Sequence, residues 1–201
     1  MLTHQGTQTI QTARLILRRF TMDDVHSMFD HYVNDPQVTR FLSWQPHGDI
    51  AVTQALVMDW CRNYEKDDCY HWAIEHENKV IGGISVVRHD DVNENAEIGY
   101  CIGSAFWGKG LMTEAARAVL DFLLERVNFH RVVICHAPQN PASGRVAQKC
   151  GLTYEGTLRE ACKTSLGEYL DLCVYSQIKR TRKRRASSEG CTLSEIHPVG
   201  E

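Results

Sequence analysis

Residues 96–115 read Ala-Glu-Ile-Gly-Tyr-Cys-Ile-Gly-Ser-Ala-Phe-Trp-Gly-Lys-Gly-Leu-Met-Thr-Glu-Ala, and this run decides the fold. Residues 96–102 form a short strand-like segment. Gly108 and Gly110 then break the chain, and a helical pattern follows. Leu111, Ala115, Val119, Leu123 and Val127 repeat at i, i+4, the spacing of an amphipathic helix with one apolar stripe. Behind it, Arg131 to His136 (RVVICH) reads as a strand of the buried type. A strand, a helix of this length and a second strand imply a parallel, right-handed crossover.

Working outward, Asn140-Pro141 supplies a helix N-cap with proline at the first helical position, and Gly151 supplies the stop. Segments 152–160 and 169–179 follow as two strands joined around Thr164 to Glu168. Upstream, residues 70–76 and 80–88 form a hairpin turning at Glu77-Asn78. Residues 13–20 make an earlier strand. Thr21, with Asp24 three positions on, opens a helix that ends near Asn34-Asp35-Pro36, since the residue before proline resists helix. Residues 41–48 form a loop, and Asp49 caps a second helix. The expected order is β, α, α, a hairpin, βαβ, α, ββ: an α/β domain over 1–180, with no internal repeat.

With 201 residues, 43% hydrophobic and 23% charged, the chain can bury a proper core. It has no apolar run long enough for a membrane helix, and Met1 to Thr12 lacks the core of a secretory signal, so a cytoplasmic protein is expected. The eight cysteines include no C-x-x-C pair and lie mostly among apolar residues, where free thiols act as small hydrophobes. The ten histidines show no ligand spacing, so no metal is expected. Six of the 22 basic and three of the 25 acidic residues fall in 179–201, leaving the body with 16 and 22. That acidic body favours cationic substrates and disfavours nucleic acid. The basic run at 179–185 reads as the start of a solvated, disordered tail over 181–201.

The turn at 106–115 sits between a strand and a helix N-terminus. Glycines let backbone approach an anion, and the free N–H groups of a first helical turn point at it. A P-loop fails because Lys109 is followed by Gly110, and a dinucleotide fingerprint fails because Thr113 occupies its last glycine position. On these residues alone, a tight turn and an anion cradle are equally served.

The surroundings separate them. AEIGYCI at 96–102, FWGKGLMTEA at 106–115, NPAS at 140–143 and KCGL at 149–152 resemble the GNAT N-acetyltransferase superfamily, in its ribosomal-protein N-terminal (RimJ/RimL-type) branch. RLILR at 14–18, RFLSW at 40–44, YEGTLR at 154–159 and GEYLDLCVYS at 167–176 extend the resemblance over about residues 12–180. It implies a mixed sheet splayed between the fourth and fifth strands (96–102 and 131–136), with acetyl-CoA in the gap. The backbone at Cys101 and Ile102 would pair with pantetheine. Trp107, Gly108, Lys109, Gly110, Leu111, Met112 and Thr113 would hold the pyrophosphate. In the family pattern Q/R-x-x-G-x-G/A, Trp107 and Met112 replace the first and last residues. Asn140 and Ser143 would contact the thioester arm.

Direct transfer to an amine requires that an ammonium lose its proton, an oxyanion be stabilised and a thiolate leave. A lysine amine with a pKa of about 10.4 is far less often neutral at pH 7 than an α-amine near 8. Glu97 is the candidate base, acting through water; Glu94 and Asp91 are less well placed. A backbone N–H near Cys101 would serve the oxyanion. Many members of the superfamily protonate the thiolate with a tyrosine at a position occupied here by Ala147, so Ser143 is the candidate substitute and Tyr154 the reserve. Phe41, Trp44, Arg159 and Tyr169 are the candidate substrate contacts, where the 41–47 loop and the 164–168 turn frame the entrance. The acceptor class implied is a protein or peptide N-terminal α-amine. The alternatives are a small amine (polyamine, amino acid or aminoglycoside-like) and a non-catalytic acyl-CoA-binding module. A monomer or homodimer is expected.

Overall fold

The computed structural model describes residues 1–179; the tail expectation for 181–201 lies outside them. Eight strands form one mixed sheet: β1 (Ile10–Gln11), β2 (Ile16–Arg18), β3 (His71–His76), β4 (Lys79–Asp90), β5 (Asn95–Ile102), β6 (Arg131–His136), β7 (Thr153–Lys163) and β8 (Tyr169–Ile178). Their spatial order is β1-β2-β3-β4-β5-β6-β8-β7. Among the described residues only the β5–β6 pair is parallel. The two-residue β1 was not anticipated, so the strands expected to splay become the fifth and sixth.

The helical segments α1 (Val25–Met28), α2 (Pro36–Thr39), α3 (Ile50–Asn63), α4 (Leu111–Asp121) and α5 (Pro141–Lys149) cover both faces of the sheet. Strand alternation divides the core accordingly. Trp72 and Ile74 of β3 face Leu111, Ala115 and Val119 of α4, and Leu123 and Val127 of the turn that follows it, all buried. Ala73 faces the other way, into Phe20, Met28, Tyr32 and Val57 beneath α1 and α3.

Local chemistry accounts for the boundaries. Thr21 N donates to the Asp24 carboxylate (2.8 Å) at the first helical entry. The Asp49 side chain accepts from Ala51 N (2.8 Å) at the start of α3. Glu77 and Asn78 both take positive φ, the mirror-image turn that suits a two-residue hairpin. Pro36 follows the end of one helical segment, as its sequence predicts. It also begins one: Asp35 accepts from Gln37 N (2.8 Å) and Pro36 occupies the first turn of α2. The stripe expected to run as one regular helix over 111–127 is α-helical to Asp121 and π-wound from Phe122 to Val127. Asn128, in the left-handed region at φ 79°, ends it.

One close approach ties these layers to the end of β5. A Cβ added at Gly103 would lie 2.2 Å from the His31 carbonyl oxygen. Neither backbone has a flexible tip to swing aside. Gly103→Ala is therefore expected to destabilise the fold by about 1–3 kcal/mol, as overpacking does. A urea midpoint equal to that of the wild type would show that the 29–33 turn yields without cost.

Candidate active site

β5 and β6 pair from Asn95↔Arg131 to Ile98↔Ile134 and no further. Cys135 and His136 continue β6 against β8 alone, while Tyr100 to Ile102 continue β5 against β4 alone. The strands therefore part after Ile98. Gly103 N donates to the Ile81 carbonyl (2.8 Å) on the β4 side, so antiparallel alternation turns the backbone of Tyr100 and Ile102 towards the gap.

A cavity of about 400 Å3 fills this gap and continues past the 106–113 turn. Tyr100, Cys101 and Ile102 form one wall, and Asn140, Ser143, Arg145 and Lys149 of the α5 segment another. Gln37, Arg40, Phe41 and Leu42 close the far side. Among the described residues, three cations line the cavity (Arg40, Arg145 and Lys149) and no acidic residue does. An anionic ligand suits such a lining.

The turn has the geometry an anion cradle needs. Gly108 (φ 75°) and Gly110 (φ 76°) both take left-handed backbone that favours glycine. Gly110 is the N-cap of α4, whose first amides, at Leu111, Met112 and Thr113, have no intrahelical partner. The turn is braced from far upstream. Glu114 accepts from Thr12 Oγ1 (2.7 Å), Arg14 N (2.9 Å) and Arg14 Nε (2.7 Å), and Arg14 Nη1 donates to the Lys109 carbonyl (3.0 Å). Burial works against the Glu114 charge, but these hydrogen bonds hold its carboxyl below the usual range. Trp107 Nε1 donates to the Ile102 carbonyl (2.9 Å), pinning the turn to the end of β5.

Across the gap, the Tyr100 hydroxyl lies 2.9 Å from Ser143 Oγ and 3.2 Å from the Ser143 carbonyl oxygen. Burial pushes the Tyr100 hydroxyl well above its ordinary pKa, so it stays protonated. Ser143 N donates to Asn140 Oδ1 (3.3 Å), the cap of α5. Burial also raises the Cys101 thiol to about 12. A neutral thiol is a poor nucleophile, which fits transfer without a covalent enzyme intermediate.

The remaining sequence candidates divide by position. Cys101, Ile102, Trp107, Gly108, Gly110, Leu111, Met112, Thr113, Asn140, Ser143 and Phe41 all line the cavity. Lys109 contributes its carbonyl to the brace, and its ammonium lies 5.3 Å over the Phe106 ring. Glu97 does not line the cavity. It stands opposite Val133, just before the parting, and is paired with Arg88. The Tyr154 hydroxyl bonds Thr157 Oγ1 (2.8 Å) on the exposed hairpin. Trp44 packs in the local core beside His47. Arg159 and Tyr169 lie exposed on β7 and β8, with Lys163 over the Tyr169 ring (5.5 Å). Gln45 Nε2 reaches the Ser165 carbonyl (3.4 Å), joining the 41–48 loop to the 164–168 turn.

Sequence reasoning missed Tyr100, Arg145 and Lys149. The helical spacing of 142, 145, 146 and 149 was the available signal for the last two.

Gly110 offers a direct test of the cradle. A side chain there would sit on left-handed backbone, 3.7 Å from Arg14 Nη2. Gly110→Asp adds a carboxylate that competes for Arg14 and repels an incoming phosphate. Acetyl-CoA affinity is expected to fall at least tenfold, about 1.4 kcal/mol. Unchanged calorimetric affinity would remove the turn from the binding site.

Residues 14–153 match the family model described as the acetyltransferase (GNAT) domain. The ribosomal-protein-serine acetyltransferase of Escherichia coli (strain K12) is 32% identical over 150 residues, covering 72% of this chain and 81% of the relative. The ribosomal protein uS5-alanine N-acetyltransferase of the same organism is 33% identical over 162 residues, covering 75% and 81%. Among solved structures, a ribosomal L7/L12 alpha-N-protein acetyltransferase in complex with coenzyme A superposes with a TM-score of 0.76 at 24% identity, covering 85% and 98%.

Proposed function

Because the chain belongs to the GNAT acetyltransferase family, we propose that it transfers an acetyl group from acetyl-CoA directly to the N-terminal α-amine of a protein or peptide. The cavity in the β5–β6 gap carries this reading, since it joins an amide-rich turn to a gap crossed by Tyr100 and Ser143. The two bacterial relatives, named for a ribosomal-protein serine and a uS5 alanine, favour the α-amine.

The residues present fit the donor. Gly108, Gly110 and the amides of Leu111 to Thr113 would hold the pyrophosphate, with Arg145 and Lys149 adding charge. The backbone at Tyr100 to Ile102 would take the pantetheine arm, and an amide there would stabilise the oxyanion. When bound, acetyl-CoA supplies an activated thioester carbonyl. Ser143, backed by the protonated Tyr100 hydroxyl, is the proton donor to the leaving sulfur, with Tyr154 in reserve. Glu97 is the base and acts through water, because it stands outside the cavity lining. Phe41, with Trp44 behind it and Arg159 and Tyr169 on the hairpin, frames the acceptor entrance that Gln45 and Ser165 join. No helix among the described residues is long and apolar enough to cross a membrane, and we place the reaction in the cytoplasm.

An amine panel tests this. Release of free CoA is followed with acetyl-CoA and peptides bearing Ala or Ser N-termini, alongside a polyamine, an amino acid and an aminoglycoside. The peptides are expected to give the highest kcat/KM. Preference for a small amine would replace the acceptor, and acetyl-CoA binding without release of CoA to any amine would leave a non-catalytic module.

A further inference from the structure

The far end of β4 and β5 carries an arrangement that acetyl transfer does not use. Gly82↔Ile102 marks the cavity end of this strand pair and Asp90↔Asn95 the other. Seven residues at about 3.3 Å each separate them, roughly 23 Å. At the distal end, His4 from the N-terminal segment meets His89 of β4 and Asp91 of the following turn. One potential ligand atom from each lies within 4.8 Å of the others.

His4 Nε2 is 3.3 Å from Asp91 Oδ2, and His89 Nδ1 is 2.8 Å from Asp91 Oδ1. The opposite nitrogen of each ring also faces a polar group. His4 Nδ1 lies 2.9 Å from the Tyr70 hydroxyl, and His89 Nε2 lies 4.0 Å from Asp68 Oδ2. A histidine that ligates a metal through one nitrogen almost always donates its other N–H to a carboxylate or another acceptor, which sets tautomer and ring orientation. His4 has such a partner in Tyr70, and the Asp68 carboxylate stands 4.0 Å from His89 Nε2, a short side-chain shift from the same role. The buried Phe129 lies against both rings, with centroids 5.9 Å from His4 and 6.3 Å from His89, giving the cluster an apolar floor.

We propose that His4 Nε2, His89 Nδ1 and the Asp91 carboxylate bind one borderline divalent cation of the zinc class. Water would complete its tetrahedron. Ligand bonds of about 2.0–2.1 Å place tetrahedral neighbours roughly 3.3 Å apart, so side-chain shifts of the order of 1 Å convert the present hydrogen bonds into coordination. Histidine and carboxylate ligands exclude magnesium and calcium as preferred ions, since those favour all-oxygen sites. The cation would clamp the N-terminal segment to the β4–β5 connection, adding to the hydrogen bonds that hold that segment elsewhere, from Thr3 N to the Val127 carbonyl (2.9 Å) and from Gly6 N to the Asp67 carbonyl (2.6 Å). His89 and Asp91 are two positions apart, but His4 lies 87 residues before Asp91, which is why no spacing in the sequence announced the set.

Cobalt(II) is the probe, added to the chelator-treated full chain and then displaced by zinc(II). Its visible spectrum separates this site from the cysteines. One cobalt per chain is expected, with ligand-field bands and no thiolate charge-transfer band. Exchange of the Thr3 and Gly6 amides should slow on metal addition. His89→Gln should weaken binding about tenfold or more, and Asp68→Asn, which keeps all three ligands, by about tenfold. Neither substitution should change acetyl transfer. No cobalt bound at a fivefold molar excess would overturn the site. So would a thiolate band, or affinity unchanged in His89→Gln with the fold intact by circular dichroism.

Discussion

Replacing Ser143 with alanine is expected to lower kcat roughly 10²- to 10⁴-fold, the usual loss for a proton-transfer group, while the acetyl-CoA dissociation constant barely moves. The substitution removes only the hydroxyl. Asn140 still accepts from the residue 143 amide, so the cap of α5 survives. The loss is the oxygen 2.9 Å from the Tyr100 hydroxyl, which sits across the gap and, being protonated, can support proton donation by the serine. Single-turnover kinetics with saturating acetyl-CoA read the chemical step, and calorimetry reads the binding. A raised dissociation constant with normal kcat would make Ser143 a binding residue and Tyr154 the next donor to substitute.

Glu97→Gln is expected to cost a similar factor in kcat. A base works only when deprotonated, so the wild-type rate should fall as pH drops through the base's pKa, and the variant should lose that acidic limb. An α-amine near pKa 8 titrates in the same region. The profile therefore needs repeating with an acceptor of lower pKa, which shifts the amine's own limb out of the way. Glu97 is tied to Arg88 and separated from Cys101 by four positions along β5, about 13 Å, so relay through water is part of this expectation. Wild-type kcat in the variant would reduce Glu97 to a surface ion pair and return proton removal to another group or to solvent.

Most of the architecture was legible because its signals are local. The stripe from Leu111 to Val127, the Asn140-Pro141 cap and the Glu77-Asn78 turn each carry their instruction within a few residues. β1 was not legible: two residues contain no pattern, and its existence rests on pairing Ile10 with Leu17. The π winding after Asp121 was hidden for a related reason, since an apolar stripe specifies which side is buried and not the pitch. At the site, glycines 108 and 110 announced a turn, while its brace through Arg14 and Glu114 joins residues a hundred positions apart. Tyr100 read as one more strand residue, and only the spatial approach of α5 gives its hydroxyl a partner.

The order of strands in the sheet is not their order in the chain. β8, the last of the described strands to be made, lies inside, hydrogen-bonded to β6 on one side and β7 on the other. While the chain is being synthesised from its N-terminus, β6 can hold β5 through only the four residue pairs before the parting. Its other edge stays open until residues 169–178 arrive, and β7 has no partner to lie against. The wall of the gap formed by β6 is thus completed by the final strand, and a nascent chain stopped in the 164–168 turn would carry every glycine of the cradle without a finished cleft. Assembly waits for long-range contacts and closes late, the regime in which exposed strand edges most need protection.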